Sequence, residues 1–203
     1  MDGSLFCANS FQVSMDRSAL LDQLLATDTY DIAIIGGGAT GLGVALDATL
    51  RGYKVVLLEA HDFAKGTSSR ATKLVHGGVR YLAQGNLSLV KEALHERGVL
   101  LHNAPHIAQP LAFVMPSYKW WETAFYGIGL MIYDLLAGKS AIGSTEFLSK
   151  EQVLERLPEV QSKGLRGGVQ YWDGQFDDAR LAIEIARTAH HKGAHLLNYC
   201  TVE

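Results

Sequence analysis

Cysteine is nearly absent from this 203-residue chain. Cys7 and Cys200 are its two cysteines, too few and too far apart for a metal-binding spacing or a disulfide framework. A reducing compartment is therefore expected. The eight histidines form no paired cluster with cysteine, so no metal is expected. Charge is also scarce, at 19% of residues against 48% hydrophobic. A net charge of −3 creates no positive field for a nucleic acid or an anionic membrane surface, so neither is an expected partner. The N-terminus lacks a basic stretch followed by a long apolar one, and no secretory leader is read there. The most apolar segment has an uncharged run from Thr123 to Tyr133 that stops at Asp134, well short of the ~20 residues of a membrane helix. Repeats and low-complexity linkers are missing as well. The composition that remains is that of an ordinary globular chain, long enough for one domain with a sizeable core or for one domain and the start of another.

One stretch organises the rest. Ile32 to Ile35 is a short β-branched run that reads as a parallel strand buried on both faces, and it ends in Gly36-Gly37-Gly38. A helical pattern follows from Ala39 to Arg51, closed by Gly52. A second apolar run, Val55 to Leu58, then ends at Glu59. Gly36, Gly38 and Gly41 spell G-x-G-x-x-G. The first permits a tight turn, the second leaves a pyrophosphate room to approach the backbone, and the third lets the helix pack close to the strand. Phosphates are then expected at the helix N-terminus, among unpaired N–H groups. Glu59, 18 positions past Gly41, is placed to accept both hydroxyls of an adenosine ribose.

After Glu59 a long loop is expected from His61 through Gly85. Its hydroxyls and cations (Thr67, Ser68, Ser69, Arg70, Thr72, Lys73) and the pair Gly77-Gly78 suit phosphate oxygens and the edge of a planar heterocycle; a solvated loop is the bland alternative. Asn86 or Ser88 starts a helix with Val90, Leu94, Arg97 and Leu101 on one face. Pro110 and Pro116 bound a strand. Between Lys119 and Gly138 a helix is expected, buried or facing a partner, with an interfacial aromatic face (Trp120, Trp121, Phe125, Tyr126, Tyr133) as the second reading. Ser149 and Gln152 make a capping box. Gly167 to Trp172 reads as a strand, Asp173-Gly174 as a turn, and Asp177 or Asp178 as the cap of a helix carrying Leu181, Ile185 and Ala189 and closed by Gly193. His195 to Val202 reads as a third parallel strand. Ser18 is a candidate cap for a short N-terminal helix bearing Leu20, Leu21, Leu24 and Leu25 on one side, and Met15 an alternative start. A chain that ends on its third strand reads as a fragment.

The motifs DIAIIGGGATGLGVALDATLRGYKVVLLE, GTSSRATKLVHGGVRYL, KEALHERGVLL, APH, PSYKWW and YWDGQFDDARL occur in this order. They resemble FAD-dependent glycerol-3-phosphate dehydrogenase from about Tyr30 to the chain end. The resemblance implies an α/β fold: a Rossmann-like FAD-binding domain of the glutathione-reductase type, incomplete at its C-terminus. An N-terminal extension (1–29) would precede the domain portion (30–203), which carries an inserted α+β segment at 60–175. The implied activity is oxidation of sn-glycerol 3-phosphate to dihydroxyacetone phosphate, with hydride passing to FAD and electrons to a membrane quinone. An oxidase using oxygen and a non-catalytic FAD-binding fragment are the alternatives. By the same resemblance Gly36, Gly38, Gly41 and Glu59 hold the ADP half of FAD, and Thr67, Ser68, Ser69, Lys73 and Leu74 run beside the pyrophosphate and flavin. His76, Gly77 and Gly78 border the flavin ring, and Arg80 and Tyr81 meet substrate. Arg80 offers a planar fork to a phosphate dianion. His76 either orients the flavin or accepts the substrate hydroxyl proton. Asp177, Asp178 and Arg180 match a family motif too and read mainly as cap and packing. The implied location is cytoplasmic, with peripheral attachment to the cytoplasmic membrane as a second reading, and a homodimer is left open.

Overall fold

Short β-branched runs and helical patterns alternate through the first part of the chain, and the backbone follows them. The computed structural model describes residues 16–203, so Cys7 and Met15 lie outside the described residues. The elements are α1 (Arg17–Ala26), β1 (Ile32–Ile35), α2 (Ala39–Leu50), β2 (Val55–Leu58), β3 (Leu74–Val75), α3 (Val79–Ala83) and α4 (Leu87–Asn103). They continue with β4 (Ala108–Ser117), α5 (Glu122–Ala137), β5 (Glu146–Ser149), α6 (Lys150–Arg156), β6 (Gly167–Phe176), α7 (Asp178–His191) and β7 (His195–Leu197). The chain divides into two units: residues up to Ala71 together with Asp178–Glu203, and Thr72–Asp177.

The first unit is built on a parallel sheet in the order β1-β2-β7, with Ile34 opposite Leu57 and Leu57 opposite Leu196. The third strand is the expected one but shorter. It stops where Tyr199 takes a positive φ of 50° and its N–H turns to the His61 carbonyl. β2, paired on both sides, buries Val55, Val56 and Leu57. Burial of β1 on both faces is corrected. Its residues alternate in exposure and Ile35 is 74% exposed, because Ile32 and Ile34 pack on the α2–α7 core while the face carrying Ala33 and Ile35 stays uncovered among the described residues.

Helices α2 and α7 share one core through methyl-sized side chains. Ala45 and Ala48 meet Ala182, Ala186 and Ala189, with Leu42, Leu57 and Leu196 beside them. The alanines, more than Leu181 and Ile185, form the covered face of α7, because only small residues let two helix backbones come this close. The cap of α1 is Asp16, whose carboxylate accepts the Ser18 N–H at 2.9 Å and the Ser18 hydroxyl at 2.6 Å. Ser18 is thus the donor to the cap instead of the cap itself. Leu20 is buried while Leu25 is 83% exposed, so the four leucines do not share one side. Arg17 fixes the helix to the chain beyond β7 by donating to the Asn198 carbonyl at 2.6 Å.

The second unit is organised around β6. β4 pairs antiparallel along its whole length, while β3 and β5 pair with opposite ends of it. Pro110 and Pro116 lie inside β4, opposite Gly174 and Gly168, instead of bounding it. β4 pairs with β6 alone among the described strands, so a missing N–H on its outer side costs no ladder bond. Asp173-Gly174 is not a turn either, since β6 runs straight through it. The stretch expected as an unbroken loop contains a 3-10 turn (Thr67–Ser69), β3 and α3. The cap of α4 is Asn86, accepting the Leu89 N–H at 3.2 Å, and the Ser149–Gln152 capping box opens α6 as expected.

Helix α5 is buried along Gly127, Leu130, Tyr133 and Ala137. Its other side exposes Phe125, Ile128, Met131, Ile132 and Leu135, and Trp121 is exposed at its N-cap. No helix among the described residues is long and apolar enough to cross a membrane.

Candidate functional site

In the first unit the Gly-rich turn closes on itself. Gly36 leaves β1 with φ of 109° and donates its N–H to the Leu58 carbonyl at 2.9 Å. A Cβ at Gly41 would run into the Gly36 carbonyl oxygen, so this glycine is set by the approach of α2 to the turn. Gly38, the N-cap of α2, is different: a Cβ there would meet no protein atom within 4 Å. The protein's own packing sets no requirement for glycine at this position.

Glu59 locks the turn. One carboxylate oxygen accepts the Gly37 N–H at 2.6 Å, and the other accepts the His61 N–H at 2.7 Å. Gly37, read only as the variable position of the motif, is therefore a working part of it, and a Cβ there would press on Phe63 at 2.6 Å. The Gly37 carbonyl accepts the N–H of Ala64, and the Ala64 carbonyl accepts the Ser69 hydroxyl at 2.6 Å. This relay ties the Thr67–Ser69 turn to the glycines. Its middle member, Ala64, is buried with φ of 61°, and no sequence pattern announced it.

The Gly37 hydrogen bond, and after it that from His61, holds the Glu59 carboxyl below its usual range. A depressed carboxylate contributes stability that is present above its unfolded pKa and lost as pH falls through the folded one. Glu59→Gln is expected to destabilise the first unit by roughly 1–3 kcal/mol at neutral pH, with the gap to wild type closing below about pH 4. Melting both proteins across that range checks it. Curves with a constant offset would show that the charge does not contribute.

The second unit holds the other half of the expected set. Lys73 has φ of 63° and its ammonium lies 3.8 Å from Asp177. Leu74 is in β3, Gly77 and Gly78 are buried between β3 and α3, and Arg80 and Tyr81 are on α3. A cavity of about 650 Å³ is lined by Leu74, His76, Gly78 and Tyr81 from this segment and by Phe113, Tyr171 and Asp173 from the sheet. Phe113 and Tyr171 stack with ring centroids 5.3 Å apart. Burial, and secondarily the Asp173 carboxylate, pushes the Tyr171 hydroxyl above its usual range, which keeps it protonated. Tyr171 and Phe113 were absent from the expected site, although the alternation of β-strand residues was a signal for them. Among the described residues no cluster of His, Cys, Asp and Glu could hold a metal ion.

The family described as FAD dependent oxidoreductase matches residues 31–203. The chain belongs to this family. It is 50% identical to the mitochondrial glycerol-3-phosphate dehydrogenase of Macaca fascicularis, over 92% of this chain and 26% of that protein. With the probable mitochondrial glycerol-3-phosphate dehydrogenase of Caenorhabditis elegans the identity is 46%, over 92% and 27%. The chain thus spans about a quarter of the length of these relatives. The X-ray structure of glycerol-3-phosphate dehydrogenase from Bacillus halodurans complexed with FAD aligns with a TM-score of 0.66 and 34% identity, over 92% of this chain and 29% of that one. L-alpha-glycerophosphate oxidase from Mycoplasma pneumoniae, with FAD bound, shares the fold at a TM-score of 0.61 and 19% identity, over 85% of this chain and 45% of that one.

For a member of this FAD-dependent family, the open space at Gly38 has a ready explanation. Protein atoms crowd the Cβ positions of Gly37 and Gly41 and leave that of Gly38 free, as a cradle for a bound phosphate requires.

Proposed function

We propose that the protein is a flavin-dependent dehydrogenase that oxidises the secondary alcohol of sn-glycerol 3-phosphate to the ketone, dihydroxyacetone phosphate, with quinone as the final electron acceptor. The observation that carries this reading is the gathering of His76 and Tyr81, both from the recognised motif, on one cavity. The names of relatives at 46–50% identity support the substrate.

FAD would supply the two-electron acceptor. Gly36, Gly38 and Gly41 would hold its pyrophosphate at the N-terminus of α2, with Glu59 fixing the turn and accepting ribose hydroxyls on its free lone pairs. Thr67, Ser68, Ser69, Lys73 and Leu74 would flank it, and Gly77 and Gly78 would let its ring approach. Tyr81 gives the substrate a ring wall and a hydroxyl. Arg80, whose side chain lies outside what the structure describes, would offer the phosphate dianion two parallel N–H bonds. His76, exposed and on the cavity, accepts the proton of the C2 hydroxyl as the alcohol is oxidised.

The test uses the protein at its natural length, with bound flavin quantified and sn-glycerol 3-phosphate supplied with a quinone analogue or with oxygen. Substrate-dependent reduction of the quinone analogue supports the reading. Turnover only with oxygen would make it an oxidase, and flavin-loaded protein inert with both would remove the substrate assignment. Arg80→Lys is expected to raise KM for the phosphate substrate at least tenfold with flavin content intact, because an ammonium cannot reproduce the bidentate fork. Loss of flavin with a normal KM would move Arg80 to the cofactor.

A further inference from the structure

Pairing between β3 and β6 ends at Val75 opposite Gly174, one residue before His76. Beyond that point the backbone ladder is replaced by a side chain. Asp173 accepts the Gly77 N–H at 3.3 Å and the Gly174 N–H at 3.1 Å on one carboxylate oxygen. The same oxygen takes the Arg97 guanidinium at 3.0 Å, and the second oxygen takes the Tyr133 hydroxyl at 3.0 Å. Asp173, Arg97 and Tyr133 are 3%, 1% and 1% exposed. The clamp presses directly on the turn, since a Cβ at Gly77 would strike the Tyr133 hydroxyl and the Leu94 side chain. Gly78 follows with φ of 75° and starts α3, so whatever fixes Gly77 fixes the direction in which His76 and Tyr81 leave it. Burial, and then the neighbouring Asp173 carboxylate, pushes the Tyr133 hydroxyl far above the ordinary tyrosine range, which makes it a permanent donor.

We propose that Asp173, held by Arg97 and Tyr133, is a positioning residue that sets the His76-Gly77-Gly78 turn and through it the placement of His76 and Tyr81 against the substrate. The inference rests on the reading of the cavity as the substrate site. Asp173 itself is not a base in this arrangement, because four donors already occupy its carboxylate. Its contribution is geometric, and displacement of reacting groups by about 1 Å can cost about a hundredfold in rate.

Tyr133→Phe removes one donor and leaves the packing in place. In the flavin-loaded protein at its natural length, kcat per bound flavin is expected to fall at least about tenfold while KM changes less than about threefold. Independently of activity, amide hydrogen exchange in a peptide covering 76–81 should accelerate by about tenfold, with peptides of β4 unchanged. Arg97→Lys, which cannot hold Asp173 and the Ser140 carbonyl together, is the second variant and should show the same pair of changes if Tyr133→Phe proves hard to purify. A lower melting temperature with unchanged kcat per flavin would reduce the clamp to a structural ion pair and overturn the proposal. If wild type does not oxidise sn-glycerol 3-phosphate, the substrate reading fails. The exchange measurement then decides alone: unaltered protection of 76–81 overturns the clamp, and accelerated exchange supports it.

Discussion

Gly38→Val should leave the first unit folded and empty of flavin, while Gly41→Ala should unsettle the fold itself. Both positions belong to one motif, yet their surroundings are opposite. At Gly41 an added methyl would meet the Gly36 carbonyl, a backbone atom held by the β1–β2 pairing and by the Gly36 N–H bond to Leu58, so it has no cheap way to yield. Overpacking of this kind costs typically about 1–3 kcal/mol or more, against a total stability of roughly 5–15 kcal/mol. At Gly38 no protein atom lies within 4 Å of the new Cβ, and its φ of −79° and ψ of 177° suit any residue. Exchanging glycine for valine as N-cap should cost at most about 1 kcal/mol. The branched side chain would instead fill the space assigned to pyrophosphate. Visible flavin absorbance and far-ultraviolet circular dichroism on the two purified variants separate the effects. Full flavin loading in Gly38→Val would mean that the phosphates pass elsewhere, and an unchanged melt of Gly41→Ala would mean that the helix can lift from the turn at little cost.

The β1-α2-β2 unit was legible because each of its features is local. A β-branched run, a glycine turn, a helical period and a second run lie within about thirty residues, and each constrains the next. Even there Gly37 was hidden, because the motif marks Gly36, Gly38 and Gly41 for turn, ligand and packing and says nothing of the amide that Glu59 holds. The second unit was less legible because its partners are far apart in sequence. Asp173-Gly174 has the local signature of a turn, but the carboxylate is fully engaged by Arg97, 76 residues away, and by Tyr133. Its glycine is required because a Cβ would press on Val75, at 2.6 Å. One clue was present: an arginine on the same helical face as Val90 and Leu94 calls for a buried counter-charge. The sequence could not say which of its 21 acidic residues that was. The prolines misled for a similar reason, since only pairing identifies β4 as a strand with β6 alone beside it among the described residues.

Arg97→Met should be among the most destabilising single changes in the second unit. The guanidinium donates to Asp173 at 3.0 Å and to the Ser140 carbonyl at 3.1 Å, and lies 5.9 Å from the centre of the Tyr133 ring. Methionine fills much of the volume but leaves a buried carboxylate without its cation. Breaking a buried pair from one side costs roughly 3–5 kcal/mol, whereas losing an exposed pair such as Arg187–Glu184, 2.9 Å apart, costs about 0–1 kcal/mol. With roughly 2–4 °C of melting temperature per kcal/mol, a fall of roughly 6–20 °C is expected for Arg97→Met and almost none for Arg187→Ala. All three tryptophans (Trp120, Trp121 and Trp172) belong to the second unit, so tryptophan fluorescence follows its unfolding. Replacing both partners, Arg97→Met with Asp173→Leu, should not restore stability as it can for a simple ion pair. The Gly77 and Gly174 amides and the Tyr133 hydroxyl would remain buried without the acceptor that now serves them. A double variant as stable as wild type would show that those donors find other partners and that Asp173 is dispensable to the turn.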